Sequence, residues 1–317
     1  MISWYIGKIL KLSLFIVILT AQAGANDLCS NHPGILILAH GSHHQNSHEG
    51  HHSLQNIPFA QEPLPLWEQT VLNLVEETKK QIHFPVEVAF GMWDQKSFQA
   101  GIDLLAQQGI CELRVIPLFV SSHSEVIEVQ KYMFHQTTSK SFPINVSPLK
   151  IPESIQKVEF KKSLDDHIHL TDILWDRLFE SSQNLEHEGF IFVAHGPFGD
   201  ALELKWQQDL KTHLERLQQR IQNQGQHIGD LSALTLRDDA LPPIRKQRTE
   251  QLRAKVNELN SQNLKPIIIP VLLAPGGIED GLIERLQGLN YRFTANMLAP
   301  HPKLVEWIIQ SAETPSH

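Results

Sequence analysis

Residues 37–53 read ILAHGSHHQNSHEGHHS, with histidines at positions 40, 43, 44, 48, 51 and 52. Imidazole is the commonest metal ligand of proteins and titrates near neutral pH. His40 stands apart from the rest because it ends an apolar run, GILILAH (34–40), whereas the others occupy a polar segment rich in Gly, Ser and Asn. A later apolar run, LRVIPLFVS (113–121), leads into SHSEV and supplies His123 and Glu125. Two imidazoles and a carboxylate suit a divalent cation such as cobalt, iron, nickel or zinc. To share a site, the two runs must be neighbouring strands. Ligands of open α/β sheets bind beyond the carboxyl ends of the strands, where strand order reverses. A strand order 2-1-3 brings the ends of the first and third strands together. A hydrolytic reading with Ser42 as nucleophile is weak, since AHGS lacks the G-x-S-x-G elbow.

The elements needed for that geometry can be read from the pattern. Near-continuous apolar runs mark buried parallel strands, separated here by stretches of helical periodicity. GILILAH (34–40) is the first strand and VEVAFGMWD (86–94) the second. LRVIPLFVS (113–121) is the third, and FPINVSPLK (142–150) reads as a further strand. Helices are expected over 66–81, 96–109, the EVIEVQKYMFHQ stretch and the segment around HLTDILWDRLFESSQ.

The second half repeats the order. GFIFVAHGPFGD (189–200) matches GILILAHGS, LSALTLRDD (231–239) stands where VEVAFGMWD stood, and KPIIIPVLLAPGG (265–277) matches ELRVIPLFVSSHS. HPKLVEW (301–307) echoes HLTDILW (169–175). The recurrence of AHG in phase points to a tandem duplication whose loops have since changed length. His195 is the counterpart of His40, but Gly276 or Ile278 falls where His123 stood.

Composition bounds the remainder. The chain has 317 residues, long enough for two ordinary domains, with 41% hydrophobic residues and a net charge of −8. That balance gives no basic surface for nucleic acid. Lys8 and Lys11 precede LSLFIVILTA and the small residues AQAGA, the pattern of a signal peptide over 1–25 and of an exported, periplasmic protein without stable membrane insertion once the signal is removed. Export makes Cys29 and Cys111 candidates for a disulfide, because each precedes a strand at the same edge of the sheet. Two free buried thiols are the alternative.

ILILAHGS followed by LRVIPLFVSSHSEV resembles the class II chelatases of the CbiX kind, the sirohydrochlorin cobaltochelatases and their ferrochelatase relatives. The resemblance extends over nearly the whole mature chain as two copies. It implies an α/β fold of two tandem chelatase-like domains, 30–184 (with the histidine insertion 43–52) and 185–317. Each would be a mostly parallel open sheet flanked by helices, with a cleft between them. It further implies ATP-independent insertion of a divalent metal, Co2+ or Fe2+ or Ni2+, into a tetrapyrrole by a monomer without a nucleotide. His40 and His123 would be catalytic, and His40, His123 and Glu125 would hold the metal. Two departures stand out: Met92 and Asp94 in place of a second-strand Glu, and the long HGS loop. A binding protein on the same fold, holding metal or tetrapyrrole without turnover, is the competing expectation.

Overall fold

The computed structural model describes residues 32–41, 65–140, 142–275 and 278–314. The expected signal segment, Cys29, Ser42 and the histidine insertion lie outside the described residues.

The first half forms a parallel sheet from β1 (Gly34–Ala39), β2 (Val86–Phe90), β3 (Glu112–Leu118) and β4 (Lys157–Phe160), in the order β2-β1-β3-β4. The second half does the same with β5 (Glu188–Ala194), β6 (Asp230–Thr235), β7 (Lys265–Val271) and β8 (Arg292–Phe293), in the order β6-β5-β7-β8. All six residues of β1 and all seven of β5 are buried, as strands covered on both faces must be. The connecting helices are α1 (Leu66–Lys79), α2 (Gln95–Gln107), α3 (Glu125–Met133) and α4 (Ile168–Ser181) in the first half. In the second they are α5 (Asp200–Asn223), α6 (Pro242–Ser261), α7 (Ile278–Arg285) and α8 (Pro302–Glu313). Among the described residues no helix is long and apolar enough to cross a membrane.

The duplication shows in close packing as well as topology. Gly34 and Gly189 each lie six residues before the histidine of an AHG motif. A Cβ on Gly34 would come within 2.5 Å of Ile110 Cδ1, and one on Gly189 within 2.7 Å of Leu259 Cδ1. The first strand of each half is thus pressed against its flanking helix layer at the same point.

Each half also lends its last helix to the other. The α4 helix packs on α5 and β7, while α8 packs on α1 and β3, and α4 and α8 pack on each other. Cations anchor the exchanged ends. Arg114 on β3 donates to the Ala312 carbonyl and Lys161 donates to that of Thr314 at 2.7 Å, both at the end of α8. Arg292 on β8 donates to the Ser181 carbonyl at the end of α4. The last carbonyls of a helix carry the negative end of its dipole, so a cation there is stabilising. One apolar core, including Ile35, Ile116, Leu174, Phe190, Ile269 and Trp307, consequently runs through both halves.

Three expectations need correction. Residues 142–150 form no strand: Ile144 N and Val146 N bond within the segment, to the Phe142 and Ile144 carbonyls, and the fourth strand is the later KVEF of β4. The echo of HPKLVEW in HLTDILW is out of register: the capping histidine of α8 is His301 and that of α4 is His167, not His169. Asp94, expected at the end of a strand, caps α2 by accepting from Lys96 N at 2.9 Å and Ser97 N at 3.1 Å. Cys111 is disulfide-bonded, and its expected partner Cys29 lies outside the described residues.

Candidate functional site

The register pairs Ala39 with Leu118, so the carboxyl ends of β1 and β3 are side by side at the point where strand order reverses. His40 follows the first end immediately, and His123 lies in the loop after the second. His40 Nδ1 donates to the Gly41 carbonyl at 2.6 Å, which leaves the lone pair on Nε2. The His40 carbonyl itself accepts from the Trp67 indole, fixing the loop against α1.

His123 sits at the centre of a denser arrangement. Its Nε2 is 3.6 Å from Asp209 Oδ2, on α5 of the second half. With Asp165, in the segment after β4, these residues offer three ligand atoms within 4.8 Å of one another. Among the described residues this is the one such group. Asp165 is buried, and its Oδ1 accepts from Ser122 N at 2.5 Å, one residue before His123. Asp209 Oδ2 is buried and has no hydrogen-bond partner.

Electrostatics keep this group short of full charge. Burial lowers the His123 pKa, aided by Lys205, Lys131 and Lys162 and opposed by Asp165. Burial also raises Asp209, with Asp165 and Asp166 adding to the effect, to about 7. Near pH 7 the His123–Asp209 contact is therefore a meeting of an imidazole that tends to neutrality and a carboxyl that tends to hold its proton. A divalent cation would reinforce the first tendency by using the imidazole lone pair and reverse the second by favouring the carboxylate.

Glu125 is placed differently from the expectation. Its Oε1 accepts from Gly199 N at 2.7 Å and its Oε2 from Phe198 N at 3.1 Å, where α5 begins. It stands at the first position of α3 and serves as an acidic cap for a helix of the other half. It is not one of the three converging groups.

The counterpart in the second half is sparser. His195 follows β5, with Nδ1 donating to the Gly196 carbonyl at 2.7 Å, as at His40. Its Nε2 is 3.7 Å from Asp239, which is exposed. Counting five residues beyond β7, as from Leu118 to His123, reaches Gly276, which lies outside the described residues.

Sequence reasoning missed Asp165, Asp209 and His213. For the last two a signal was present. Trp206, Leu210, His213 and Leu217 form the buried stripe of α5, and Asp209 lies at its edge. A carboxylate and an imidazole along the apolar face of an amphipathic helix require partners. For Asp165 nothing in the sequence fixed the fold of the loop after β4.

Residues 63–181 match the CbiX family, a segment that begins beyond His40 and takes in His123 and Asp165. The fold matches that of SirB from Bacillus subtilis with Fe3+ at a TM-score of 0.58 and 14% identity, covering 88% of this chain and 96% of that one. SirB from B. subtilis subspecies spizizenii in complex with cobalt matches at 0.54 and 13% identity, over 89% and 97% of the two chains. CbiX, described as the terminal enzyme of sirohaem biosynthesis in denitrifying bacteria, matches at 0.51 and 12% identity, over 88% and 97%. No curated protein sequence matches.

Proposed function

We propose that this chain, a CbiX-family protein over residues 63–181 with the fold of the sirohydrochlorin chelatases throughout, inserts a divalent metal into a sirohydrochlorin-type tetrapyrrole. The carrying observation is the pair of imidazoles, His40 and His123, at adjacent strand ends on the switch point of the first sheet. Insertion exchanges the metal ion for two pyrrole N–H protons, so the site must present the ion and receive protons. Nucleotide hydrolysis has no part in that balance. His40 offers Nε2 as a lone pair, and burial keeps His123 neutral enough to ligate or to accept a proton. Co2+ and Fe2+ are the favoured substrates, because SirB structures hold cobalt and iron.

The chain acts in an oxidising compartment in this reading, after removal of residues 1–25. The disulfide at Cys111 and the signal-like N-terminus support export. The test of function is anaerobic mixing of the protein with Co2+ and sirohydrochlorin. The visible spectrum should show product beyond one equivalent of enzyme. Product that stops at one equivalent would instead favour a carrier, the reading to which the histidine insertion lends weight.

A further inference from the structure

The second half has no histidine at the place matching His123, yet one face of its first helix is turned to the loops of the first half. Trp206, Asp209 and His213 recur on α5 at helical spacing. The Trp206 indole donates to the His123 carbonyl at 2.5 Å. Asp209 Oδ2 approaches His123 Nε2. His213 Nε2 donates to the Asp165 carbonyl at 2.8 Å, while its Nδ1 accepts from Thr171 Oγ1 at 2.8 Å. Glu125 of the first half caps the beginning of the same helix. The helix and the loop are thus tied at four points along their length.

We infer that Asp209 is a metal ligand of the first half's site, completing with His123 and Asp165 a one-histidine, two-carboxylate centre for a first-row divalent cation. The inference rests on the metal-insertion reading for its purpose but not for its geometry. Three features support it beyond proximity. The ligand atoms converge from three separate segments and from both halves. Asp209 Oδ2 is buried without a hydrogen-bond donor, an arrangement that costs stability unless something cationic meets it. Two of the three ligands are also braced from behind: His123 by Trp206, and Asp165 by Ser122 N through its carboxylate and by His213 through its carbonyl. Such outer contacts orient ligands and tune metal affinity by about 10–100-fold. His213 is accordingly a positioning residue that acts through Asp165. One nitrogen and two oxygens suit iron, cobalt, manganese or zinc.

The experiment uses the full chain labelled with 15N-tryptophan and titrated with Co2+, with Zn2+ as the diamagnetic control. The Trp206 indole signal, assigned by Trp206→Phe, reports the ion beside His123 even when the histidine insertion also binds metal. Wild type should show a paramagnetic shift of that signal at low Co2+. Asp209→Asn, which keeps the shape and removes the charge, should raise the midpoint more than tenfold. His213→Leu should raise it by about tenfold or more, and His213→Gln, which can still donate to the Asp165 carbonyl, should recover most of the affinity. Asp165→Asn is the second ligand variant and should behave as Asp209→Asn does if that protein fails to fold. Midpoints within twofold of wild type in both Asn variants would overturn the inference. Turnover is read separately: a Trp206 shift without tetrapyrrole metallation would sink the chelatase reading and leave the metal site standing. Metallation with unchanged midpoints in the variants would do the reverse.

Discussion

His213 gives this protein a pH-dependent stability that can be worked out residue by residue. The side chain is 1% exposed, between α5 and the exchanged helix α4. Its two nitrogens are committed to Thr171 and the Asp165 carbonyl in the neutral form. Burial lowers its pKa to about 4, with Arg216 and His167 adding to the shift and the Asp165 carbonyl and Asp166 opposing it. An unfolded histidine takes up its proton near 6.5. Between pH 6.5 and about 4 the unfolded chain therefore binds one proton that the folded chain refuses at this position. Stability is fully present above 6.5 and is lost as pH falls through that window. At 1.36 kcal/mol per unit, the loss from this group is about 3 kcal/mol. Asp209 contributes with the opposite sign. Its folded pKa is raised to about 7, so its contribution is present at low pH and disappears as pH rises. The test must cancel that slope. Urea unfolding by tryptophan fluorescence, in chelator, should be run on wild type and His213→Gln from pH 7.5 to 4.5. The variant should be less stable by about 1 kcal/mol at pH 7.5, the cost of imperfect hydrogen bonds. The difference should shrink as pH falls and reverse below about pH 5.5, because glutamine has no proton to refuse. Parallel curves across the range would refute the argument and mean that His213 protonates without cost.

Other perturbations separate the two halves and their ties. His40→Ala and His123→Ala should each lower metal insertion by about 10²–10⁴-fold, whereas His195→Ala should change it only a few-fold; equal losses at His40 and His195 in the Co2+ assay would mean that both halves line one centre. Arg114→Ala removes a buried donor to the Ala312 carbonyl and a partner of Glu112 at 2.7 Å, so urea unfolding should show a loss of about 2–3 kcal/mol. Deleting residues 43–52 should lower bound metal yet leave the maximal insertion rate within a few-fold, and abolition of the rate at saturating metal would move the insertion into the active site. Intact mass of the exported protein under non-reducing conditions should match the oxidised form, and two freely alkylated thiols would contradict it.

The sheet order could be anticipated from sequence because buried parallel strands announce themselves. GILILA, ELRVIPL and their counterparts have few polar atoms to hide and only one way to be covered on both faces. The placement of His40 and His123 beside adjacent strand ends was legible for the same reason, since each follows such a run. The capping role of Glu125 was not legible, because local sequence places it two residues from His123 and cannot show that Phe198 and Gly199, just ahead of α5, bring two N–H groups to its carboxylate. The exchange of α4 and α8 was equally invisible. Both are ordinary amphipathic helices, and nothing along the chain states whose sheet an apolar stripe will cover. FPINVSPLK is apolar enough for a strand, yet its Ile144 and Val146 N–H groups close tight local turns instead of joining a ladder, which the apolar pattern does not reveal.

Asymmetry between the halves follows from the exchange. Once each half covers the other's sheet, neither can be removed without uncovering a core that includes Phe190 and Ile116 together. The second half is therefore needed for packing whether or not it carries a site of its own. Its helix α5 is under a different constraint. Trp206 is bonded to the very residue that ends the first half's metal loop, and His213 holds the carbonyl of the neighbouring carboxylate. A substitution on that face alters the geometry at His123, whereas one beside His195 does not. Random replacement of the exposed residues around His195, such as Asp239, should consequently leave the Co2+ midpoint at the Trp206 indole unchanged, while replacements along the 206–213 face of α5 should move it. A midpoint equally sensitive to both surfaces would show that the two halves remain a symmetric pair, and the assignment of the metal to the first half alone would fall.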